Sequence, residues 1–132
     1  MPLSTAYWCV LVAALLPYVW TVTAKVSGDE RFDNRNPRAW LARQTNPRVT
    51  RANAAQMNAF EAFPAFAAAV LLAQLAGVDH GRIAVLAVAF VVARFLHGAF
   101  YLADLAPLRT VAWFIGLACV ITLLAQAAMA AA

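Results

Sequence analysis

The stretch Arg51–Val78, RANAAQMNAFEAFPAFAAAVLLAQLAGV, decides the fold, because a carboxylate directly precedes an apolar run of membrane length. The residues from Ala62 to Val78 carry no charge, so the run continues to hydrocarbon depth. A charged side chain at the centre of a membrane helix costs roughly 2.5 to 3.5 kcal/mol, and such residues normally face a bundle interior or a partner. Glu61 therefore predicts a polar pocket inside a small membrane bundle.

Composition supports an integral membrane protein of the all-α class. The chain has 132 residues, of which 64% are hydrophobic and 12% are charged, whereas soluble domains have about 25% charged residues. The runs Met1–Ala24 and Thr110–Ala132 are uncharged and approach the roughly 20 residues that span hydrocarbon. A cleaved signal peptide is the less favoured reading of the first run, which lacks a basic n-region. We expect one domain, residues 1–132, forming a four-helix bundle with helices at 3–24, 51–76, 83–105 and 110–131.

The net charge of +4 is explained by membrane orientation. Most basic residues fall in or beside the first hydrophilic connection: Lys25, Arg31, Arg35, Arg38, Arg43, Arg48 and Arg51. The positive-inside rule places this connection in the cytoplasm and both termini outside. The charge therefore does not predict a nucleic-acid partner.

The first connection, residues 25–50, is longer than the roughly 2 to 8 residues usual between bundle helices. Asn36-Pro37 and Asn46-Pro47 are turn signals, and between them we expect a short interfacial helix with Trp40 at headgroup depth. Two interpretations are open. The connection is either a solvated loop with arginines near lipid phosphates, or a basic lid over an anionic ligand.

The cysteines and histidines predict no metal site. Cys9 and Cys119 lie within apolar runs without CxxC spacing, which is typical of buried packing residues. His80 and His97 are the two histidines, and no ligand set surrounds either of them in the sequence.

Polar residues share one face on each of the two middle helices. At about 100° per residue, each group falls within roughly 80°. The groups are Arg51, Asn58 and Glu61 on the second helix, and Arg94, His97, Tyr101 and Asp104 on the third. Counting back from the short turn at residues 77–82 places Glu61 within reach of Arg94. Asn53 and Gln56 point to another side, towards a neighbouring subunit or the membrane boundary.

Two interpretations of these groups are open. Arg94 and Glu61 either neutralise each other as a buried pair that fixes helix register, or also bind an anionic ligand. The composition of the two polar faces favours an anionic ligand, because arginines, Asn58, His97 and Tyr101 outnumber the acidic residues Glu61 and Asp104.

The motif Asn58-x-x-Glu61 followed by Phe63-Pro64 resembles the MAPEG family, the membrane-associated proteins in eicosanoid and glutathione metabolism. Ala93-Arg94 with Tyr101, and Leu105-Ala-Pro-Leu-Arg109, are similar to the family pattern too. The chain resembles a divergent bacterial-type member, which implies a bacterial inner-membrane location. The resemblance also implies a homotrimer that holds glutathione as co-substrate between subunits.

By this resemblance the protein is a glutathione transferase or glutathione-dependent peroxidase acting on lipophilic electrophiles. Asn58 and Glu61 would orient the peptide, Arg94 and Tyr101 would line the pocket, and Arg109 would stabilise the thiolate. The polar faces add Arg51 and His97 as further ligand-binding candidates. Catalytic members usually have arginine where this chain has Ala54, and often have tyrosine where it has Ala62 and His97. The alternative is a non-catalytic membrane binding or structural protein that retains the fold.

Overall fold

The computed structural model describes all residues 1–132 and contains α-helices without any β-strand. The helices are α1 (Leu3–Ser27), α2 (Pro37–Arg43), α3 (Pro47–Leu75), α4 (His80–Leu102) and α5 (Ala106–Ala130). All except the short α2 are long and apolar enough to cross a membrane. The expected all-α fold with four membrane-length helices is confirmed.

Helices α3 and α4 begin earlier than expected, because each has a capping residue upstream of the predicted start. The Asn46 side chain accepts the backbone N–H of Arg48, and Pro47 occupies the first helical position. Both features favour a helix start, so α3 begins before residue 51. Asp79 caps α4 in the same way, and that helix begins before residue 83.

Asp104 lies outside α4, which corrects its expected place on the helical stripe. The helix ends at Leu102, and Asp104 adopts a φ of 58° in the turn that leads into α5. The chain must reverse direction here to join two neighbouring helices. Aspartate is among the few non-glycine residues that enter the left-handed region readily, so it suits this turn.

The centre of the bundle is formed by α3 and α4, each of which packs against both α1 and α5. Phe66 and Phe90 stack in the shared core with ring centroids 3.9 Å apart and an interplanar angle of 7°. Gly98 faces Trp20 so closely that a Cβ would collide with the indole ring. Small residues allow such close helix approach, and this one sets the spacing of α1 and α4.

The connection between α1 and α3 folds onto one end of the bundle, called the basic end below. Trp40 of α2 is only 1% exposed and packs against Ala24, Val49 and Ala52. Phe32 meets the Trp40 ring edge-on, with centroids 5.2 Å apart. The short helix is therefore present, with Trp40 buried against the bundle, while its depth in the membrane stays a prediction. The indole anchors α2 to the ends of α1 and α3.

Candidate functional site

Arg94 of α4 is buried inside the bundle, with 4% of its surface exposed. Its Nη2 donates a 2.6 Å hydrogen bond to Oδ1 of Asn58 on α3. Its Nε has no partner in the protein. A buried donor without an acceptor costs free energy, so Arg94 retains the capacity to bind one further acceptor.

Glu61 does not pair with Arg94, which corrects the expected ion pair. The ion pair that the structure contains joins Arg51 to Asp104 instead. Asn58 and Glu61 are three residues apart, so their directions differ by about 60° around α3. Asn58 faces α4, while Glu61 turns towards the outer surface and is exposed.

A cavity of about 240 Å³ lies between α3, α4 and α5. Its polar wall consists of Asn58, Glu61 and Arg94. Its apolar wall consists of Ala62, Ala65, Phe90, Trp113, Gly116, Leu117 and Val120. Apolar walls with a few convergent polar groups are the usual form of a small-molecule site. Gly116 helps to keep the space open, because a Cβ there would lie 3.4 Å from Cδ of Arg94.

The cavity lies within the membrane-spanning part of the bundle. Glu61 is at the midpoint of α3, which runs from Pro47 to Leu75. Its carboxylate is exposed on the side of the bundle, where acyl chains would contact a lone chain. Such an exposure costs roughly 2.5 to 3.5 kcal/mol. A polar group placed beside the Glu61 carboxylate would offset this cost.

A second polar group, called the edge cluster below, lies at the basic end. Arg51 Nη2 is 2.8 Å from Asp104 Oδ2, with side chains 32% and 68% exposed. The Arg109 guanidinium lies 4.3 Å above the centroid of the Tyr101 ring, a cation–π contact. Tyr101 in turn meets the buried His97 ring edge-on, with centroids 5.6 Å apart. The cluster thus links the ends of α3, α4 and α5.

The structure separates the candidate site residues into these two groups. Asn58, Glu61 and Arg94 line the cavity together. The other four candidates, Arg51, His97, Tyr101 and Arg109, belong to the edge cluster and do not line it. Sequence reasoning missed the apolar wall, including Trp113 and Gly116. The isolated Gly116 within an apolar helix was the one sequence feature that could have indicated this wall.

Comparison with known families matches the sequence model of the MAPEG family to residues 5–129. Comparisons with curated proteins and with solved structures give no match. The matched region contains every polar residue of the cavity and of the edge cluster. It also covers nearly all of the four long helices, which are those of an integral membrane protein. The chain therefore belongs to the MAPEG family.

Proposed function

We propose that this protein is a membrane-bound glutathione transferase or glutathione-dependent peroxidase that acts on lipophilic electrophiles. The observation that carries the proposal is the cavity at Arg94, where a polar and an apolar wall meet within the bundle. The polar wall suits a peptide with charged groups, and the apolar wall suits an electrophile that arrives from the bilayer. Membership in the MAPEG family supports glutathione as the co-substrate.

The proposed assembly is a homotrimer in which a neighbouring subunit covers Glu61. A carboxylate exposed at the middle of α3 needs such a cover. The cavity volume of about 240 Å³ is also smaller than the roughly 300 to 1,000 Å³ usual for ligand sites. A second chain placed against Glu61 would both shield the carboxylate and complete the pocket.

In this proposal the polar wall holds glutathione by its charged groups. The unpaired Nε–H of Arg94 binds a carboxylate, because charge-assisted hydrogen bonds are the strong ones. Glu61 binds the peptide ammonium group, and Asn58 keeps the guanidinium in place through its 2.6 Å hydrogen bond. Arg51, His97 and Tyr101 line the path at the basic end.

Arg109 has the proposed catalytic role of stabilising the glutathione thiolate. A cationic neighbour lowers a thiol pKa and raises the fraction of nucleophilic thiolate. In transfer, the sulfur attacks the electrophilic carbon, and the leaving group departs with the electron pair of the broken bond. In peroxide reduction, two glutathione molecules are oxidised to the disulfide while the hydroperoxide becomes alcohol and water.

We also propose a bacterial inner membrane as the location, with the basic end in the cytoplasm and both termini outside. Seven of the ten basic side chains lie in or directly beside the connection between α1 and α3. The positive-inside rule favours that side for such a connection. This orientation would place the edge cluster, with Arg109, on the side from which cytoplasmic glutathione enters.

The test is thiolate formation and turnover by purified protein in neutral detergent. Adding glutathione near neutral pH should produce thiolate absorbance, and chlorodinitrobenzene should be conjugated. Arg109→Ala should lower thiolate formation and turnover about tenfold, since one pKa unit corresponds to a tenfold change. Arg43→Ala, at an exposed arginine of α2 outside the cavity and the edge cluster, is the matched control. Protein that shows neither thiolate nor conjugation would refute the enzymatic proposal.

The second candidate is a non-catalytic membrane binding or structural protein. The observation that favours it is the hydrogen bond from Arg94 to Asn58, which joins α3 to α4 without any ligand. Ala54 and Ala62 also provide no polar group where catalytic relatives usually have one. Under this candidate Arg109→Ala leaves assembly unchanged and no thiolate forms, so the same experiment separates the two functions.

A further inference from the structure

A second cavity, of about 230 Å³, lies at the basic end where α1, α2 and α3 meet. It shares no residue with the cavity at Arg94 or with the edge cluster. Its charged residues are Lys25 and Arg38, and its amide side chains are Asn53 and Gln56. The proposed glutathione chemistry uses none of these four side chains.

Both cations of this cavity are free of acidic partners. The ion pair in the structure joins Arg51 to Asp104, so neither Lys25 nor Arg38 is in one. Lys25 instead lies with Nζ 4.4 Å from the centroid of the Phe32 ring, which forms part of the same wall. Two unneutralised cations in one hollow attract an anion.

The acidic residues of the connection are Asp29, Glu30 and Asp33, and none of them lines the cavity. Asp29 accepts a hydrogen bond from Asn46. Asp33 accepts the backbone N–H of Arg35, which lowers the pKa of the Asp33 carboxyl. These carboxylates keep their negative charge, but none of them is within ion-pair distance of Lys25 or Arg38.

The wall of this cavity also contains neutral hydrogen-bond donors. Gln56 and Asn53 contribute side-chain amides to the wall, and that of Asn53 has only a 3.7 Å contact with Met57 Sδ. Trp40 forms part of the wall, and its buried indole N–H lacks an acceptor. Ammonium, guanidinium and amide groups together match the oxygens of a phosphate ester.

The seam between α1 and α3 continues from this cavity towards the middle of the bundle. Thr21 and Gln56 line the cavity, and one turn deeper Tyr18 and Phe60 meet edge-on with centroids 5.6 Å apart. Both of these aromatic rings are exposed. A phospholipid combines a charged headgroup with apolar acyl chains. The cationic cavity and the exposed apolar surface next to it match these two parts, with the headgroup in the cavity and the acyl chains along Tyr18 and Phe60.

We propose that the cavity between α1, α2 and α3 binds the phosphate ester of an anionic phospholipid headgroup, with Lys25 and Arg38 as its cationic contacts. The volume of about 230 Å³ accommodates a headgroup but not a whole lipid, so the acyl chains lie outside along Tyr18 and Phe60. The short helix α2, held by Trp40, serves as the cover of this headgroup site.

Native mass spectrometry of the assembled full-length protein in neutral detergent tests the assignment. Titration with phosphatidylglycerol should give one tightly bound lipid per chain, with at least about tenfold weaker binding of zwitterionic phosphatidylcholine. Lys25→Gln and Arg38→Gln should each weaken phosphatidylglycerol binding about tenfold, the effect of losing one charge-assisted hydrogen bond. Arg43→Gln changes an exposed α2 arginine outside the cavity and should have no effect.

Arg38 is exposed, so we expect Arg38→Gln to leave the fold intact. If Lys25→Gln fails to assemble, Arg38→Gln still tests the proposal. Equal losses in Arg38→Gln and Arg43→Gln would overturn the proposal, because binding would then reflect general surface charge. Displacement of the lipid by millimolar inorganic phosphate or glutathione would also overturn it, since the cavity would then take a soluble anion. Neither result depends on whether the protein conjugates glutathione.

Discussion

The substitution Asn58→Ala tests the polar centre of the bundle most informatively. It removes the acceptor 2.6 Å from Nη2 of Arg94, whose Nε is already without a partner. Hydrogen bonds to charged groups contribute about 1.5 to 3 kcal/mol, while interhelical hydrogen bonds in membranes average about 0.6 and reach about 1.7 kcal/mol. Because Arg94 is only 4% exposed, bulk solvent compensates little for the lost acceptor. We expect a loss of about 1.5 to 2 kcal/mol in the free energy of unfolding.

The assay is reversible unfolding in mixed micelles with increasing sodium dodecyl sulfate. Asn53→Ala is the matched control, since it removes the same side chain from the same helix and only a 3.7 Å contact with sulfur. It should cost less than about 0.5 kcal/mol, as surface substitutions usually do. The double variant of Asn58→Ala with Arg94→Met should be less destabilised than the sum of the single variants.

This reasoning would be refuted if Asn58→Ala and Asn53→Ala lowered stability equally. Additive losses in the double variant would refute it too, because independent sites add and coupled sites do not. Either outcome would mean that the guanidinium obtains its stabilisation from another group.

Three further substitutions test other contacts. Gly98→Ala should destabilise the bundle by about 1 to 3 kcal/mol in the same unfolding assay, because the added methyl collides with Trp20. Unchanged stability would contradict the close approach of α1 and α4. Arg51→Ala should cost only about 0.2 to 1 kcal/mol, since the partners are 32% and 68% exposed, and a larger loss would show that the pair is better shielded than in the structure. Gly116→Leu should fill the cavity at Arg94 and lower kcat/KM for chlorodinitrobenzene about tenfold or more, whereas an unchanged kcat/KM would exclude this cavity as the electrophile site.

The four membrane helices were predictable because hydrocarbon imposes a length and a composition that any sequence shows directly. Uncharged runs near both termini marked α1 and α5. The helical period also placed Asn58 and Arg94 on faces that meet. These features depend on local sequence alone, so no tertiary knowledge was needed.

The partners of individual side chains were less predictable. Helical arithmetic gives a direction to within tens of degrees, which does not decide whether Arg94 meets Asn58 or Glu61. Residue type suggested an interfacial depth for Trp40 but did not indicate that the connection folds back and buries it against Val49. Such choices depend on the packing of distant segments, which a single sequence does not encode locally.

The proposed function depends on ligand binding in the cavity at Arg94 and on the completion of this cavity by a second copy of the chain at Glu61. An experimental density map of the assembled protein in nanodiscs with glutathione tests both at once. We expect ligand density within hydrogen-bond distance of Arg94 and a neighbouring subunit against Glu61. A map in which Glu61 faces lipid, or in which glutathione is bound away from Arg94, would contradict it.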